Sequence, residues 1–301
     1  MLALIIIKEA NKMSKQKTKN LLEKLDKKID EVKSSDEFKE MLQFFSKFHD
    51  YSYRNTILIQ LQKPDATYVA GYRQWQKKFN RQVKKGEQGI AVLAPFTYSK
   101  TVTEVEEVEE DGQIIETEVQ KEVPKVHFKP VYVFDISQTE SIDDEEDSGI
   151  PILDISLEND GGELLKPLSE FAVSRKLEVI YKHLPEGTQG YFDGGKIVVE
   201  DNLNDTEKAS ILVHELGHAI LEHGVNLSKE IKELEAEAVA FVVMDHYGIK
   251  IKSDRYLAFY KKDYDLKKSL KRIHKVATRI IEFCDRLYEH SINAPEMMEI
   301  I

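Results

Sequence analysis

Residues 214–224 read HELGHAILEHG, and a second acidic stretch at residues 232–241 reads KELEAEAVAF. Positions four apart on an α-helix face the same side, so His214 and His218 can share one divalent ion. Glu215 lies beside them, where a carboxylate can move protons during peptide hydrolysis. The first stretch therefore predicts a helical metal site, and the second stretch is expected to supply the remaining ligand.

A tetrahedral catalytic zinc site takes three protein ligands and keeps its fourth position for water. On the second helix Glu233 and Glu237 share one face with two alanines, which allow close packing against the histidine helix. We predict Glu233 as the third ligand and Glu237 as the carboxylate that orients a ligand histidine through its other ring nitrogen. The reverse assignment is the alternative. Glu235 falls on the opposite face and is expected to face solvent.

Two further features surround the motif. His223 lies nine positions after His214, on the other side of the helix, so we interpret it as a surface or capping histidine. The segment 196–200, just upstream, has the pattern of a strand. We predict that it forms a sheet edge onto which an extended peptide adds.

Charge divides the chain into two parts. Residues 1–100 hold 20 Lys and Arg against 11 Asp and Glu, whereas the whole 301-residue chain has a net charge of −11. A basic first third on an acidic protein indicates two functions in one chain. Cys284 is the single cysteine, which excludes an intrachain disulfide and favours a reducing, cytoplasmic compartment. No apolar run is long enough to span a membrane.

The sequence predicts an α+β protein of two domains. The first, over residues 13–138, is predicted as an α/β domain with three N-terminal helices and a long β-arm at 101–125 that turns at Asp111-Gly112. An acidic linker follows at 139–149. The second domain, over residues 150–301, is predicted to be mostly helical with a small sheet.

The two stretches that open this section resemble the ImmA/IrrE-type and ArdC-type zincin metallopeptidases. In those families a Glu three residues before an Ala completes the site, a pattern that falls on Glu233 and Ala236. The resemblance implies Zn²⁺ held by His214, His218 and Glu233, with Glu215 as the general base. The peptide or protein substrate is not indicated.

Residues 64–95, together with Tyr53-Arg54-Asn55, resemble the N-terminal domain of ArdC-type antirestriction proteins, which implies binding of single-stranded DNA. Clustered cations for phosphates and aromatic rings for bases are what such binding requires. Trp75 is the candidate stacking ring, although its spacing from Tyr72 and Phe79 favours a core position. The candidate cations are Arg73, Lys77, Lys78, Arg81, Lys84 and Lys85.

Together these features predict a single-stranded-DNA-binding zinc metallopeptidase of a mobile genetic element, with an antirestriction or DNA-transfer role. Two alternatives stay open. The first alternative is a non-enzymatic DNA-coating antirestriction protein with a structural zinc site. The second is a regulator in the ImmA style that cleaves a repressor. In the regulator, the first domain would bind protein instead of DNA.

Overall fold

The computed structural model of the chain describes residues 2–32, 34–110, 113–143, 160–221, 227–251 and 265–293. Helices are combined with small sheets, which confirms the predicted α+β class. The elements of the first part are α1 (Leu2–Glu31), α2 (Ser35–Lys47), α3 (Tyr53–Gln62), β1 (Val69–Gly71), α4 (Tyr72–Phe79), β2 (Arg81–Val83), β3 (Ile90–Glu110), β4 (Gln113–Asp135) and β5 (Thr139–Ser141). The second part contains α5 (Gly162–Ser174), β6 (Glu178–Lys182), β7 (Gly190–Phe192), β8 (Lys196–Glu200), α6 (Asp205–Ile220), α7 (Lys229–His246) and α8 (Leu266–Asn293).

The sheet of the first part has the order β1-β4-β3, with β3 at one edge. Its antiparallel β3–β4 ribbon continues out to Glu110 and Gln113, so the arm follows directly from the sheet strands. The predicted turn at Asp111-Gly112 lies outside the described residues. Near its base, the edge of β3 is covered by α3, because Asn55 and Gln62 bond to the backbone of Leu93 and Ala91 respectively. These amides replace a missing neighbouring strand.

The sheet of the second part corrects one prediction. Its order is β6-β8-β7, so β8 lies in the centre, paired parallel to β6 and antiparallel to β7. Residues 196–200 therefore form no edge and cannot accept an added peptide strand. All but the first residue of β8 are buried, as expected of a central strand. Among the described strands, the edge on the α6 side of this sheet is β7.

The N-terminal helices and the second part share one hydrophobic core. Leu25, Phe38 and Phe45 lie in the same buried cluster as Leu212, Val239 and Ile280. The helices α1, α2 and α3 all contact α7 or α8. Residues 13–138 and 150–301 are thus not separate in packing, although they are separate in sequence.

The predicted acidic linker begins later than residue 139. Thr139–Ser141 forms β5, which pairs with β2, and Thr139 is buried. The first part therefore extends at least to Ser141, and residues 144–159 lie outside the described residues. No helix among the described residues is both long and apolar enough to cross a membrane.

Glu235 is also placed differently from the prediction. Its side chain is fully buried and bonds Arg272 and Ser269 on α8, with Arg272 Nε 3.0 Å from Glu235 Oε2. The reason is that α7 is packed on more than one side, by α6, α8 and α2. The face of α7 opposite Glu233 is therefore an interior face. The Glu235 carboxylate on this face is neutralised by Arg272.

Candidate metal centre and basic surface

The helix that carries the HExxH motif starts at a capping box. The Asn204 side chain accepts from the backbone of Glu207, whose carboxylate accepts in return from the backbone of Asn204. One turn before its end the helix crosses α7 closely at Gly217. A Cβ there would lie 3.1 Å from the Ala236 Cα, so a larger residue would require the two backbones to move apart by a few tenths of an ångström. This crossing brings the acids of α7 to the histidines of α6.

Three side chains converge at the crossing. His214 Nε2 and His218 Nε2 lie 3.1 Å apart, and Glu233 Oε2 lies 3.5 Å from the first and 3.4 Å from the second. Ligand atoms about 2.0–2.1 Å from a tetrahedral zinc ion stand roughly 3.4 Å from one another. The two imidazoles and one carboxylate therefore have the donor chemistry and the spacing of a divalent metal site with one position open.

Glu233 and Glu237 face different nitrogens of the same imidazole. Glu237 Oε2 lies 3.0 Å from His214 Nδ1, on the side of the ring away from the three convergent atoms. Burial lowers the pKa of His214, but hydrogen bonds to Glu233 and Glu237 outweigh that effect and raise the pKa to about 9. Hydrogen bonds to both histidines hold the pKa of Glu233 well below its usual range. A metal ion on these atoms competes with protons for the same lone pairs, so its affinity depends on pH.

Glu215 is buried between α6 and the edge strand β7. Desolvation raises the pKa of Glu215, while His214 and His218 oppose the shift. Its carboxylate also accepts a hydrogen bond from the backbone of Phe192 on β7. Gly190 makes this close approach possible, since a Cβ there would lie 2.5 Å from the Ile211 Cγ2 and 3.4 Å from the Glu215 Cγ. His223, interpreted above as a surface histidine, lies outside the described residues.

The basic surface of the first part corrects the prediction for Trp75. This side chain is fully buried and donates from Nε1 to the Phe134 backbone oxygen at 2.9 Å. It packs against Tyr68 and Phe79 in a small core beneath α4. A ring enclosed on all sides cannot stack on a base, so Trp75 is a core residue.

The six candidate cations fall into two groups. Arg81 is half-buried and holds β5, with Nε 2.8 Å from Thr139 Oγ1, and Lys84 donates to the Ser137 backbone oxygen at 3.0 Å. These two stabilise the joint between β2 and the segment after β4. The remaining cations are exposed on α4 and on the following turn: Arg73, Lys77, Lys78 and Lys85.

Exposed aromatic rings accompany these cations, and sequence reasoning did not single them out. Tyr72 is 48% exposed at the start of α4, and Tyr132 is 49% exposed on β4. Tyr72 lies edge-on to Phe134, with ring centroids 6.3 Å apart, beside a shallow groove that Lys84 and Lys85 also line. Helical spacing gave no signal for Tyr72, because it puts Tyr72 on the same face as the buried Trp75 and Phe79; the available signal was its position as the first residue of α4.

Comparisons with known proteins bear on both regions. Residues 11–134 match the family model of the N-terminal domain of anti-restriction factor ArdC, and residues 172–279 match that of the IrrE N-terminal-like domain, Peptidase_M78. A relative from Bacillus anthracis, the uncharacterized protein pXO2-81, is 28% identical over 307 residues, covering 90% of this chain and 52% of the relative. The chain thus spans about half the length of the curated relative that it matches.

Two solved structures are also similar to the chain. Both are crystal structures of the antirestriction protein ArdC from plasmid R388. The metal-free form has a TM-score of 0.40 and 20% identity, and the Mn(II)-bound form has a TM-score of 0.44 and 19% identity. Each match covers 81% of this chain and 86% of the other chain.

Proposed function

Because the chain belongs to the ArdC-type proteins, joining an ArdC N-terminal domain to an IrrE N-terminal-like domain, we propose that it is a zinc-dependent peptidase that binds single-stranded DNA. The observation that carries the peptidase proposal is the convergence of His214, His218 and Glu233 beside the buried Glu215. We assign the three as ligands and Glu215 as the general base. The role proposed for the whole protein is antirestriction or DNA transfer on a mobile genetic element.

Each residue of the site has a defined task in this proposal. When bound, a divalent ion supplies Lewis-acid polarisation of water and of the scissile carbonyl. Glu215 takes a proton from the attacking water and delivers it to the leaving amine, a task suited to a carboxyl whose pKa is raised by burial. Glu237 fixes the ring orientation of His214 through Nδ1.

The peptide substrate is proposed to bind at β7. An extended chain that adds to the edge of β7, which no described strand occupies, is held by backbone hydrogen bonds that require no particular sequence. Phe192 on β7 bonds Glu215, so a peptide on this edge has its backbone alongside the general base. This placement replaces the predicted edge at residues 196–200.

Glu215→Gln tests the peptidase proposal. We expect the variant to bind zinc as the parent does and to lose cleavage of a peptide library, measured by mass spectrometry beside elemental analysis. Glu170→Gln, the same change at an exposed position of α5, is the control and should leave both readouts unchanged. Cleavage at the parental rate by Glu215→Gln would remove Glu215 from the mechanism.

The same variant separates the peptidase from the non-enzymatic alternative. If Glu215→Gln binds zinc and DNA but gives full antirestriction activity in cells, protection is by DNA coating and does not require proteolysis. Loss of protection with DNA binding intact supports the peptidase. The cell assay thus decides whether hydrolysis is part of the biological role.

We propose that the first part binds single-stranded DNA through α4 and the adjacent sheet face. The support is the exposed cations on α4 and the exposed ring of Tyr72, which lies against Phe134; Tyr132, also exposed, is on the same face of β4 as Phe134. Cations that contact phosphates release counterions, so binding must weaken steeply as salt rises. Base stacking on one aromatic ring contributes about 1–3 kcal/mol.

Gel shifts with oligo(dT) test this assignment. We expect Arg73→Glu/Lys77→Glu to weaken binding and flatten its salt dependence, and Tyr72→Ala to weaken binding at every salt concentration. Lys166→Glu, an exposed charge reversal on α5, is the control. No binding by the parent protein at low salt would overturn the proposal and favour the regulator that binds a protein partner.

A further inference from the structure

A second group of potential metal ligands lies where the N-terminal helices meet the peptidase-like part. It consists of His49 after α2, His246 at the end of α7 and Asp285 on α8, and each offers a ligand atom within 4.8 Å of the other two. We propose that these residues form a second divalent-metal site, the seam site. It would cross-link segments that are about 200 positions apart in the chain.

The distances within the group suit ligands better than hydrogen-bond partners. His246 Nε2 and His49 Nε2 lie 3.4 Å and 3.8 Å from the same Asp285 oxygen, Oδ2. Both exceed the 2.7–3.2 Å range of ordinary hydrogen bonds between nitrogen and oxygen. They are close to the roughly 3.4 Å between ligand atoms around a tetrahedral ion.

The surroundings orient two of the three ligands as in known metal sites. His246 Nδ1 lies 3.1 Å from the Ser46 backbone oxygen, which can only accept, so Nδ1 carries the proton and Nε2 is the atom that faces the group. Tyr247 donates its hydroxyl to Asp285 Oδ1 at 2.8 Å and leaves Oδ2 for the site. Hydrogen bonds of this kind fix the tautomer of a ligand histidine and the direction of a carboxylate.

The three side chains are largely enclosed by the surrounding helices. Between 15% and 19% of each side chain is exposed, and the two imidazoles meet edge to face with centroids 4.5 Å apart. Two histidines and an aspartate suit Zn²⁺ and related transition ions. The site differs from the HExxH site, since Glu233 and His246 lie about 20 Å apart along α7.

A metal here would hold the turn after α2 against α7 and α8. The segments are already joined by Thr278, which donates to the His49 backbone oxygen at 3.0 Å. A bound ion adds three bonds across the same joint, and it stabilises the folded chain in proportion to its occupancy. The seam site is thus a structural clamp between the DNA-binding part and the peptidase-like part.

Metal stoichiometry of the full chain tests the seam site. After dialysis against Zn²⁺, we expect two equivalents in the parent protein and one in His214→Ala/His218→Ala, which leaves the seam untouched. Adding Asp285→Asn, which preserves side-chain size, should remove the remaining equivalent. His127→Ala, a change at a histidine on β4 away from both groups of ligands in sequence, is the control and should retain both equivalents.

Folding and metal binding are distinguished by two further readouts. Circular dichroism establishes that each variant is folded, and visible absorption of Co²⁺ reports ligation by nitrogen and oxygen directly. A folded His214→Ala/His218→Ala protein that binds no Zn²⁺ and gives no Co²⁺ spectrum would overturn the seam site. The seam site would also be overturned if the His214→Ala/His218→Ala protein still bound one equivalent after either His49→Ala or Asp285→Asn was added.

Discussion

At the residue scale, Glu233 and Glu237 are the same chemical group with different neighbours. Glu233 faces the Nε2 atoms of both histidines, whereas Glu237 faces only Nδ1 of His214. We expect Glu233→Gln to remove a ligand, and Glu237→Gln to weaken Zn²⁺ affinity by about 10- to 100-fold, as loss of an outer partner does. Competition against a chromophoric chelator measures both affinities. A larger loss in Glu237→Gln than in Glu233→Gln would reverse the assignment.

Glu200, at the end of β8, predicts a pH dependence of stability. Its carboxylate accepts from the Leu184 and Asn202 backbones at 2.6 and 3.1 Å, and these hydrogen bonds, that from Leu184 foremost, lower the pKa of Glu200 to about 2. A carboxyl with a lowered folded-state pKa stabilises the fold above its unfolded pKa and loses that effect as pH falls.

The melting temperature of Glu200→Gln should therefore lie below that of the parent at neutral pH. The difference should shrink as pH falls from the ordinary glutamate pKa of 4.5 toward 2. Scanning calorimetry across this range measures it, with Glu170→Gln as the exposed control. A difference that stays constant with pH would show that the Glu200 charge plays no part.

At the element scale, the edge of β3 depends on two amide side chains. Asn55 pairs with both backbone groups of Leu93, which is buried, at 2.8 and 3.0 Å. Gln62 pairs with Ala91 in the same way but at an exposed position. A buried backbone group left without a partner costs about 1–3 kcal/mol, whereas an exposed one bonds to water.

Asn55→Ala should therefore lower the free energy of unfolding by about 1–3 kcal/mol, and Gln62→Ala by clearly less. Urea denaturation followed by circular dichroism measures both. The two variants are matched controls, since each removes one amide from the same helix. Equal losses would mean that burial of the strand edge does not set the cost.

The sequence predicted contacts within single helices better than contacts between elements. Helical spacing put His214 and His218 on one face of α6 and Glu233 and Glu237 on one face of α7, because residues three and four apart share a face by geometry alone. The meeting of these two faces was inferred from the alanines beside the acids and from the family resemblance. Spacing alone misplaced Glu235, since which faces of α7 are buried depends on α2 and α8, far away in sequence. We also assigned β8 to an edge, although its apolar run at residues 197–199 is typical of a buried central strand. Trp75 shows the same limit: its spacing suited a core, and packing against Tyr68 and Phe79 decided it.

At the scale of the whole molecule, the two regions are joined by more than the chain between them. The N-terminal helices supply part of the core around α7 and α8, and several polar contacts cross the joint in addition to those at the seam site. Ser46 bonds Asp245, and Lys39 Nζ lies 5.7 Å from the centre of the Phe241 ring. The N-terminal helices and the helix that carries the HExxH motif therefore share one hydrophobic core, whereas α4 packs on a separate small cluster.

This shared core predicts the behaviour of the isolated second half. A fragment of residues 144–301 loses the partners of buried side chains such as Phe241 and Val239, and apolar surface exposed in this way promotes aggregation. We expect it to bind a hydrophobic dye, melt without cooperativity and lose zinc affinity, and to recover when produced together with residues 1–143. Size-exclusion chromatography and calorimetry measure these properties. A monomeric fragment with the full-length melting temperature would show that the HExxH domain folds alone, and that the N-terminal helices only rest on its surface.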